Sequence, residues 1–347
     1  MTLSVNSCLR HRQGILAAIA VAAMAMGCGS SNGLSPSAET PLVGDSSLAT
    51  PPTDSIPADT LPPADSVPAA LDPLSASPGP GIVFAMMGMR GPSIAAPYNG
   101  SKYGVQPSYI LSNLDATRAR GGRMVVELAS GKDENLQNAD GTFSFTKWKA
   151  MIDAFRRVNL SSYISDGTLM GHFLIDEPQN ANKWGGKVIP QATVEAMAKY
   201  SKSIWPNLAT FARVAPSWLA QSSISYVYLD AGWAQYVTRR GPVGTWIAAE
   251  VAAAKKKGLG LPVGLNILNG GNGSSGIRGT RSGEWKMSAT EIRNYGTTLL
   301  NQSYACGFFS WSYLEGGDLY LARSDIKSAM TDLSKKAAAH VKTSCRQ

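Results

Sequence analysis

Seven short runs of consecutive apolar residues punctuate this chain from its first quarter onward: Ile82 to Met87, Met124 to Leu128, Gly171 to Ile175, Leu208 to Val214, Ile224 to Leu229, Val263 to Leu268 and Cys306 to Trp311. Strands of a parallel sheet, covered on both faces, have this unbroken apolar character. Between the runs, apolar positions three and four apart predict helices, roughly over Pro107 to Arg120, Phe145 to Val158, Pro190 to Ile204, Thr245 to Lys257, Ala289 to Gln302 and Ser324 to His340. The connection from Arg213 to Ser223 has room for only a short helix. Alternation of strand and helix predicts a parallel α/β sheet with crossover helices. The 267 residues from Gly81 to Gln347 suit one domain, close to the roughly 250 residues of a (β/α)8 TIM barrel. That barrel is the expected fold class, with seven strands visible and the eighth not located. An open doubly wound sheet would call for a phosphate-cradling Gly-x-Gly-x-x-Gly after its first strand, and Gly88-Met89-Arg90-Gly91-Pro92 does not fit. The run from Gly270 to Gly276 lacks a Gly-Lys-Ser/Thr ending and is expected to be an active-site loop.

The first 80 residues follow other rules. Arg10, His11 and Arg12 precede an apolar stretch from Gly14 to Met26, too short to span a bilayer, and the pattern reads as a secretory signal peptide over 1–28. Its end, Ala25-Met26-Gly27-Cys28, resembles the lipobox of bacterial lipoproteins, which implies lipidation at Cys28 and a cell-envelope location, with plain secretion as the alternative. Residues 29–80 are rich in Pro, Ser, Thr, Ala and Asp, with near-repeats such as Thr53-Asp54-Ser55-Ile56-Pro57 and Ala64-Asp65-Ser66-Val67-Pro68, and without an aromatic residue. Such a segment cannot bury a core and is expected to be a disordered spacer.

Charge is unevenly divided. The whole chain carries a formal +8; setting aside Arg10, Arg12 and the six acids of the spacer leaves +12 for Gly81 to Gln347. A basic domain suits acidic polymers or anionic surfaces. The lysines and arginines are nonetheless scattered or on expected helices, no nucleic-acid motif accompanies them, and most of the charge reads as a solvated shell. No nucleic-acid partner is expected, and a membrane only through the lipid at Cys28. Beyond Cys8 and Cys28, Cys306 and Cys345 remain. If Cys306 opens the last strand and the last helix runs back antiparallel to it, Cys345 returns to the same end, and export permits a disulfide in place of two free thiols. With only His172 and His340 left after processing, no metal-ligand spacing appears, and neither metal nor cofactor is expected.

The candidate chemistry lies at the strand ends. Gly171-His172-Phe173-Leu174-Ile175-Asp176-Glu177-Pro178 is an apolar strand that stops at two carboxylates and a proline. In a parallel barrel the C-terminal strand ends face the ligand. With it they gather Arg90, Glu127, Arg213, Asp230, Trp233, Asn266, Asn269, Trp311, Tyr313 and Glu315. Carboxylates, amides and Arg meet sugar hydroxyls, Trp and Tyr meet the apolar faces of pyranose rings, and hydrolysis pairs an acid with a second carboxylate. Alternation along Tyr226-Val227-Tyr228-Leu229-Asp230 would turn Tyr228 and Asp230 toward the interior and mouth. His172, inside an apolar strand, is expected to be a packed interior histidine.

A middle strand ending in Asp176-Glu177-Pro178, with a last strand Gly307-Phe308-Phe309-Ser310-Trp311-Ser312-Tyr313, resembles the barrel glycoside hydrolases. In their large retaining clan the middle strand ends in Asn-Glu, so the resemblance implies that Glu177 is the acid/base, with Asp176 in place of the Asn. Trp311 matches the aromatic platform beneath the sugar. The clan's nucleophile is a Glu on the penultimate strand, where this chain offers only Asn266 and Asn269. Asp230 is the first choice for the second carboxylate, followed by Glu315 and Glu127. Tyr228-Leu229-Asp230 also compares with the Tyr-x-Asp of chitinase-like barrels, whose long acidic signature is missing here. The function expected is a secreted or surface-tethered glycoside hydrolase acting on a polysaccharide or oligosaccharide. The alternative is a non-catalytic polysaccharide-binding barrel, in which the same aromatic and polar residues hold the glycan.

Overall fold

The computed structural model describes residues 80–313, 319–341 and 345. The expected signal peptide with Cys28, the expected spacer up to residue 79, and Glu315 lie outside the described residues. Nine strand segments run parallel in one sheet: β1 (Val83–Met87), β2 (Gly100–Gly104), β3 (Arg123–Glu127), β4 (Leu169–Asp176), β5 (Ala209–Arg213), β6 (Ala231–Gly232), β7 (Ala234–Tyr236), β8 (Leu261–Leu265) and β9 (Ala305–Ser310). Their order is β6-β5-β4-β3-β2-β1-β9-β8-β7. The two ends of the sheet meet, because Ala231 bridges Gly260, the Gly260 N–H donates to the Asp230 carbonyl at 2.7 Å, and the Gly232 N–H donates to the Gly260 carbonyl at 3.2 Å. Segments β6 and β7 are halves of one strand broken at Trp233, so the nine pieces fill the eight positions of a (β/α)8 barrel.

The helices α1 (Ile110–Arg118), α2 (Phe145–Asp153), α3 (Ser161–Ser165), α4 (Gln191–Ile204), α5 (Pro216–Leu219), α6 (Val243–Lys257) and α7 (Ala289–Leu300) lie between strands along the chain, and α8 (Leu319–Ala322) and α9 (Ser324–Ala338) follow β9. Local chemistry sets their ends. Ser288 and Glu291 form a reciprocal capping box at the start of α7, and Gly258 takes φ 65° to end α6 in the left-handed conformation that costs glycine least.

Packing separates two apolar layers, as the period of two along each strand requires. Phe84, Met86, Val126, Leu174 and Phe308 face the helices. Val83, Ala85, Met87, Val125, Phe173, Phe211, Trp233 and Phe309 form a second cluster to which no helix contributes, and this is the interior of the barrel. Phe173 and Phe309 flank Trp233, at ring-centroid distances of 5.9 and 5.4 Å. Gly171 makes room for this filling, since a Cβ there would run into the ring of Phe211.

Two sequence expectations need correction. The unseen strand is β2, Gly100-Ser101-Lys102-Tyr103-Gly104, which has no apolar run because Lys102 points inward over the Phe173 ring at 4.2 Å. The expected strand Ile224 to Leu229 is not a strand. The backbone N–H groups of Val227, Tyr228 and Leu229 all donate to the Glu195 carboxylate of α4, at 2.8 to 2.9 Å, instead of to a neighbouring strand. The sheet resumes only at Ala231, and Asp230 therefore stands at the N-terminal end of the barrel. There its carboxylate accepts from the Thr210 N–H (2.8 Å) and pairs with Lys202 (2.6 Å), with a relative exposure of only 5%.

His172 is an interior side chain, as expected: its Nδ1 lies 2.8 Å from Ser201 Oγ, its ring stacks on Trp148, and Trp205 meets it edge-on. Burial lowers its pKa to about 3. The unfolded chain thus binds a proton that the folded one refuses, and stability is lost as pH falls from about 6.5 toward 3. The difference in unfolding free energy between wild type and His172→Asn, measured in urea from pH 6.5 to 4.5, should change by about 1.4 kcal/mol per pH unit. A parallel pH dependence in both proteins would refute this account. At the same lower end, Cys306 and Cys345 form a disulfide across 39 residues, with Cα atoms 5.3 Å apart. In the chain-entropy treatment a loop of that size is worth about 4 kcal/mol. The double Cys306→Ser, Cys345→Ser variant is expected to lose about 2 to 4 kcal/mol in urea unfolding, and an unchanged midpoint would show that the bond constrains nothing.

Candidate active site

The C-terminal mouth is built around Arg213. Since Phe211 fills the interior, Arg213, two residues on, points the same way and rises above the aromatic layer. It binds the Asp176 carboxylate with both Nε and Nη2, the latter at 2.8 Å. Its Nη1 donates to Gln235 of β7 at 2.9 Å, its Nη2 lies 3.5 Å from Glu177, and its guanidinium stands 5.5 Å above the Trp311 ring. One side chain therefore ties together β4, β5, β7 and the end of β9. Asp176 is further paired with Lys183 at 3.0 Å, which also holds Asp133 at 3.1 Å. Burial pushes the Asp176 carboxyl up, but the charge and hydrogen bonds of Arg213, with Lys183 and Lys102 behind them, hold it well below the usual carboxylate range.

Asp176 reaches that position through an irregularity. The pairing of β4 with β5 slips between Phe173 and Ile175, so Leu174 and Ile175 both pack outward while Asp176 returns to the mouth. Glu177 follows at φ 48°, the only positive φ of a non-glycine among the described residues. A carbon-bearing side chain in that region costs about 1 kcal/mol, tolerated where surrounding bonds over-determine it. Here the Glu177 N–H donates to the Arg213 carbonyl (3.1 Å), and the Glu177 carbonyl accepts from the Asn180 N–H (3.0 Å) and the Trp184 indole (3.2 Å). The Glu177 side chain stays 28% exposed.

A cavity of about 530 Å³ opens beside this cluster. Glu127, Lys102, Trp311, Tyr313, Tyr103 and Ser130 are among its lining residues. Glu127 ends β3 and pairs with Lys102 at 2.5 Å. Arg213 links the cavity to Glu177, since its guanidinium stands over the Trp311 ring that lines the cavity and its Nη2 lies 3.5 Å from Glu177. Carboxyl groups gathered at one mouth beside aromatic walls are the chemistry that protonates a leaving oxygen or activates an attacking one. Among the described residues, no group of three or more His, Cys, Asp or Glu is placed to hold a metal ion.

The mouth thus assembles Asp176, Glu177, Glu127, Trp311 and Tyr313, as the strand-end reading expects. Other expected contacts are elsewhere. Asp230 and Tyr228 are at the opposite end, where the Tyr228 carbonyl accepts from Thr210 Oγ1 at 2.6 Å. Trp233 is buried in the interior, 3% exposed, and packs instead of binding. Asn266 ends β8 bridged to Trp311, its side chain accepting from the Asn269 N–H at 2.9 Å. Asn269 is buried and fastens the long loop after β8 by accepting from the N–H groups of Thr280 and Arg281, at 2.7 and 3.1 Å. Arg90 is exposed and is not among the cavity lining. Sequence reasoning missed Lys102, Lys183 and Gln235. Lys102 was hidden in the unrecognised β2; the inward Gln235 sits in a strand too short and too broken to show a pattern.

No family model and no curated protein matches this chain. Solved structures do. A variant of a glycoside hydrolase family 5 mannosidase from Rhizomucor miehei, in complex with mannosyl-fructose, aligns at TM-score 0.50 and 9% identity, covering 75% of this chain and 94% of that one. A β-glucanase from Saccharophagus degradans in complex with cellotetraose gives 0.48 at 13% identity, covering 70% and 79%. A psychrophilic family 10 endo-β-1,4-xylanase gives 0.47 at 10% identity, covering 72% and 96%. The structural neighbours are therefore glycoside hydrolases with barrel folds, and at such low identity the likeness speaks to the fold alone.

The ion pair at the centre of the mouth is open to a direct test. Arg213→Met leaves Asp176 paired with Lys183 alone among the described residues and should cost about 3 kcal/mol of stability. Adding Asp176→Asn should restore part of that loss in a urea double-mutant cycle, whereas additive losses would mean that the two side chains are energetically independent.

Proposed function

We propose that this chain is a glycoside hydrolase acting on a polysaccharide or oligosaccharide, with Glu177 as general acid and Glu127 as second carboxylate. The observation that carries this reading is that Glu177 and Trp311 both meet Arg213 at the barrel mouth, where Trp311 and Glu127 line one cavity of about 530 Å³. Glu177 keeps more than a quarter of its side chain exposed, on a backbone fixed by three hydrogen bonds, so its carboxyl can meet a glycosidic oxygen. Glu127, 23% exposed and anchored by Lys102, would serve as nucleophile or as base toward water. Trp311 and Tyr313 offer flat apolar faces to the sugar ring. Asp230 has no part in this proposal, since its carboxylate is enclosed by Thr210 and Lys202 at the other end.

A second reading, a barrel that binds glycans without cleaving them, is favoured by Asn266 at the end of β8, where the resemblance calls for a carboxylate, and by the lock of Arg213 on Asp176. For either activity we infer export, with the domain tethered by lipid at Cys28 or released. The Cys306–Cys345 disulfide supports a compartment outside the reducing cytosol. Reducing-end release from soluble glucan, mannan, xylan and polyuronate separates the readings. Wild type should release new ends from at least one of them, and Glu177→Gln should lower that rate about 10²- to 10⁴-fold while still binding. Full activity in Glu177→Gln would remove this residue from the mechanism, and binding without release by wild type would establish the non-catalytic reading.

A further inference from the structure

The connections that follow β7 and β8, residues 237–242 and 266–288, carry six charged side chains, of which five are cationic: Arg239, Arg240, Arg278, Arg281 and Lys286 against Glu284. Glu284 is itself taken up by Arg239 at 2.7 Å. Arg240, Arg278 and Arg281 are exposed and make no ion pair among the described residues. The two connections are fastened to each other by the Arg239–Glu284 pair and by the Thr238 N–H donating to the Gly270 carbonyl at 3.0 Å. They form one basic rim. It adjoins the carboxylate cluster, because the first connection leaves β7 just after Gln235, which accepts from Arg213 at 2.9 Å, and the second begins at Asn266, which bridges Trp311.

The rim is also fixed before any ligand arrives. The Glu291 carboxylate accepts from the Asn272 N–H (2.8 Å) and from Ser274 Oγ (2.7 Å), and Asn269 holds Thr280 and Arg281. Arg278 lies on the Trp285 ring at 3.8 Å and Arg240 over Trp246 at 5.5 Å. A guanidinium stacked on an indole keeps its in-plane N–H groups for a planar acceptor, and a carboxylate is the acceptor whose two oxygens match them. A preorganised cation rim costs little ordering entropy on binding. A uniformly charged phosphate chain suits the mouth poorly, since its centre holds Glu127, Asp176 and Glu177. A glycan with carboxylates along one stretch and neutral hydroxyls at the reacting ring satisfies both regions.

We propose that the mouth takes an acidic polysaccharide, one whose uronate carboxylates lie on the rim of Arg240, Arg278 and Arg281 while a neighbouring ring enters the cavity beside Trp311. The inference rests on the carbohydrate reading above and narrows it to a substrate class. Titration calorimetry on the full chain carrying Glu177→Gln, which separates binding from cleavage, would compare oligogalacturonate with cello- and manno-oligosaccharides of matched length. The uronate oligosaccharide should bind at least about tenfold more tightly at low salt and lose most of that advantage at high salt. Replacing Arg240, Arg278 and Arg281 together by Gln should erase the advantage and leave neutral-sugar affinity unchanged; replacing them by Lys should preserve most of it. Equal affinity for neutral and acidic sugars, or an undiminished advantage in the Gln variant, would overturn the proposal. So would duplex DNA or anionic vesicles competing as well as the uronate does. If neither class of sugar binds, the carbohydrate reading fails with it, an outcome distinct from binding of neutral sugars alone.

Discussion

A single guanidinium organises the C-terminal mouth of this barrel. Burying Arg213 would be costly without compensation, and the compensation dictates what surrounds it: two bonds to Asp176, one to Gln235, and the Trp311 ring beneath. Each partner comes from a different part of the barrel, so the same interaction that neutralises the charge also fixes β4, β5, β7 and the end of β9 relative to one another. The aromatic layer of Phe173, Trp233 and Phe309 just below excludes water and strengthens the electrostatics above it. Core packing and site geometry are one construction here.

The register slip in β4 shows how local backbone geometry serves that construction. Without it, strict alternation from Phe173 would turn Ile175 inward and Asp176 out toward the helices. With it, Asp176 meets Arg213, and the next residue must take φ 48° for the chain to leave the strand at Pro178. The cost of that conformation is met by the hydrogen bonds on both sides of Glu177. Adjacent carboxylates consequently have different surroundings: Asp176 is held by Arg213 and Lys183, and Glu177 faces the opening.

Most of the barrel was legible because both faces of its strands are apolar, and the pattern that failed did so for physical reasons. Strand β2 has glycine at both ends and an inward lysine, so its burial depends on a salt bridge with Glu127 that no hydropathy pattern reveals. Tyr226 to Leu229 has strand-like alternation, yet Glu195 offers its backbone donors an acceptor that a neighbouring strand would otherwise supply. That one misplaced strand carried Asp230 and Tyr228 to the wrong end of the barrel. Glu177, Glu127 and Trp311 were legible because each follows an apolar run whose direction is unambiguous. Their partners Lys102, Lys183 and Gln235 were not, since long-range ion pairs leave no local signature.

The two ends of the barrel use the same elements for different purposes. At the N-terminal end Asp230 and Lys202 form an ion pair with almost no exposure, Glu195 satisfies three backbone donors, and the disulfide closes the last strand against the tail. These three charges have their partners within the protein, which is the arrangement of a structural base. At the C-terminal end the pairs of Asp176 with Arg213 and of Glu127 with Lys102 leave about a quarter of each carboxylate accessible beside a large cavity. A charge that is paired yet still reachable can exchange a protein partner for a ligand hydroxyl at small cost, whereas one enclosed like Asp230 cannot. Exposure of paired charges, more than the presence of acids, is what distinguishes the mouth of this barrel from its foundation.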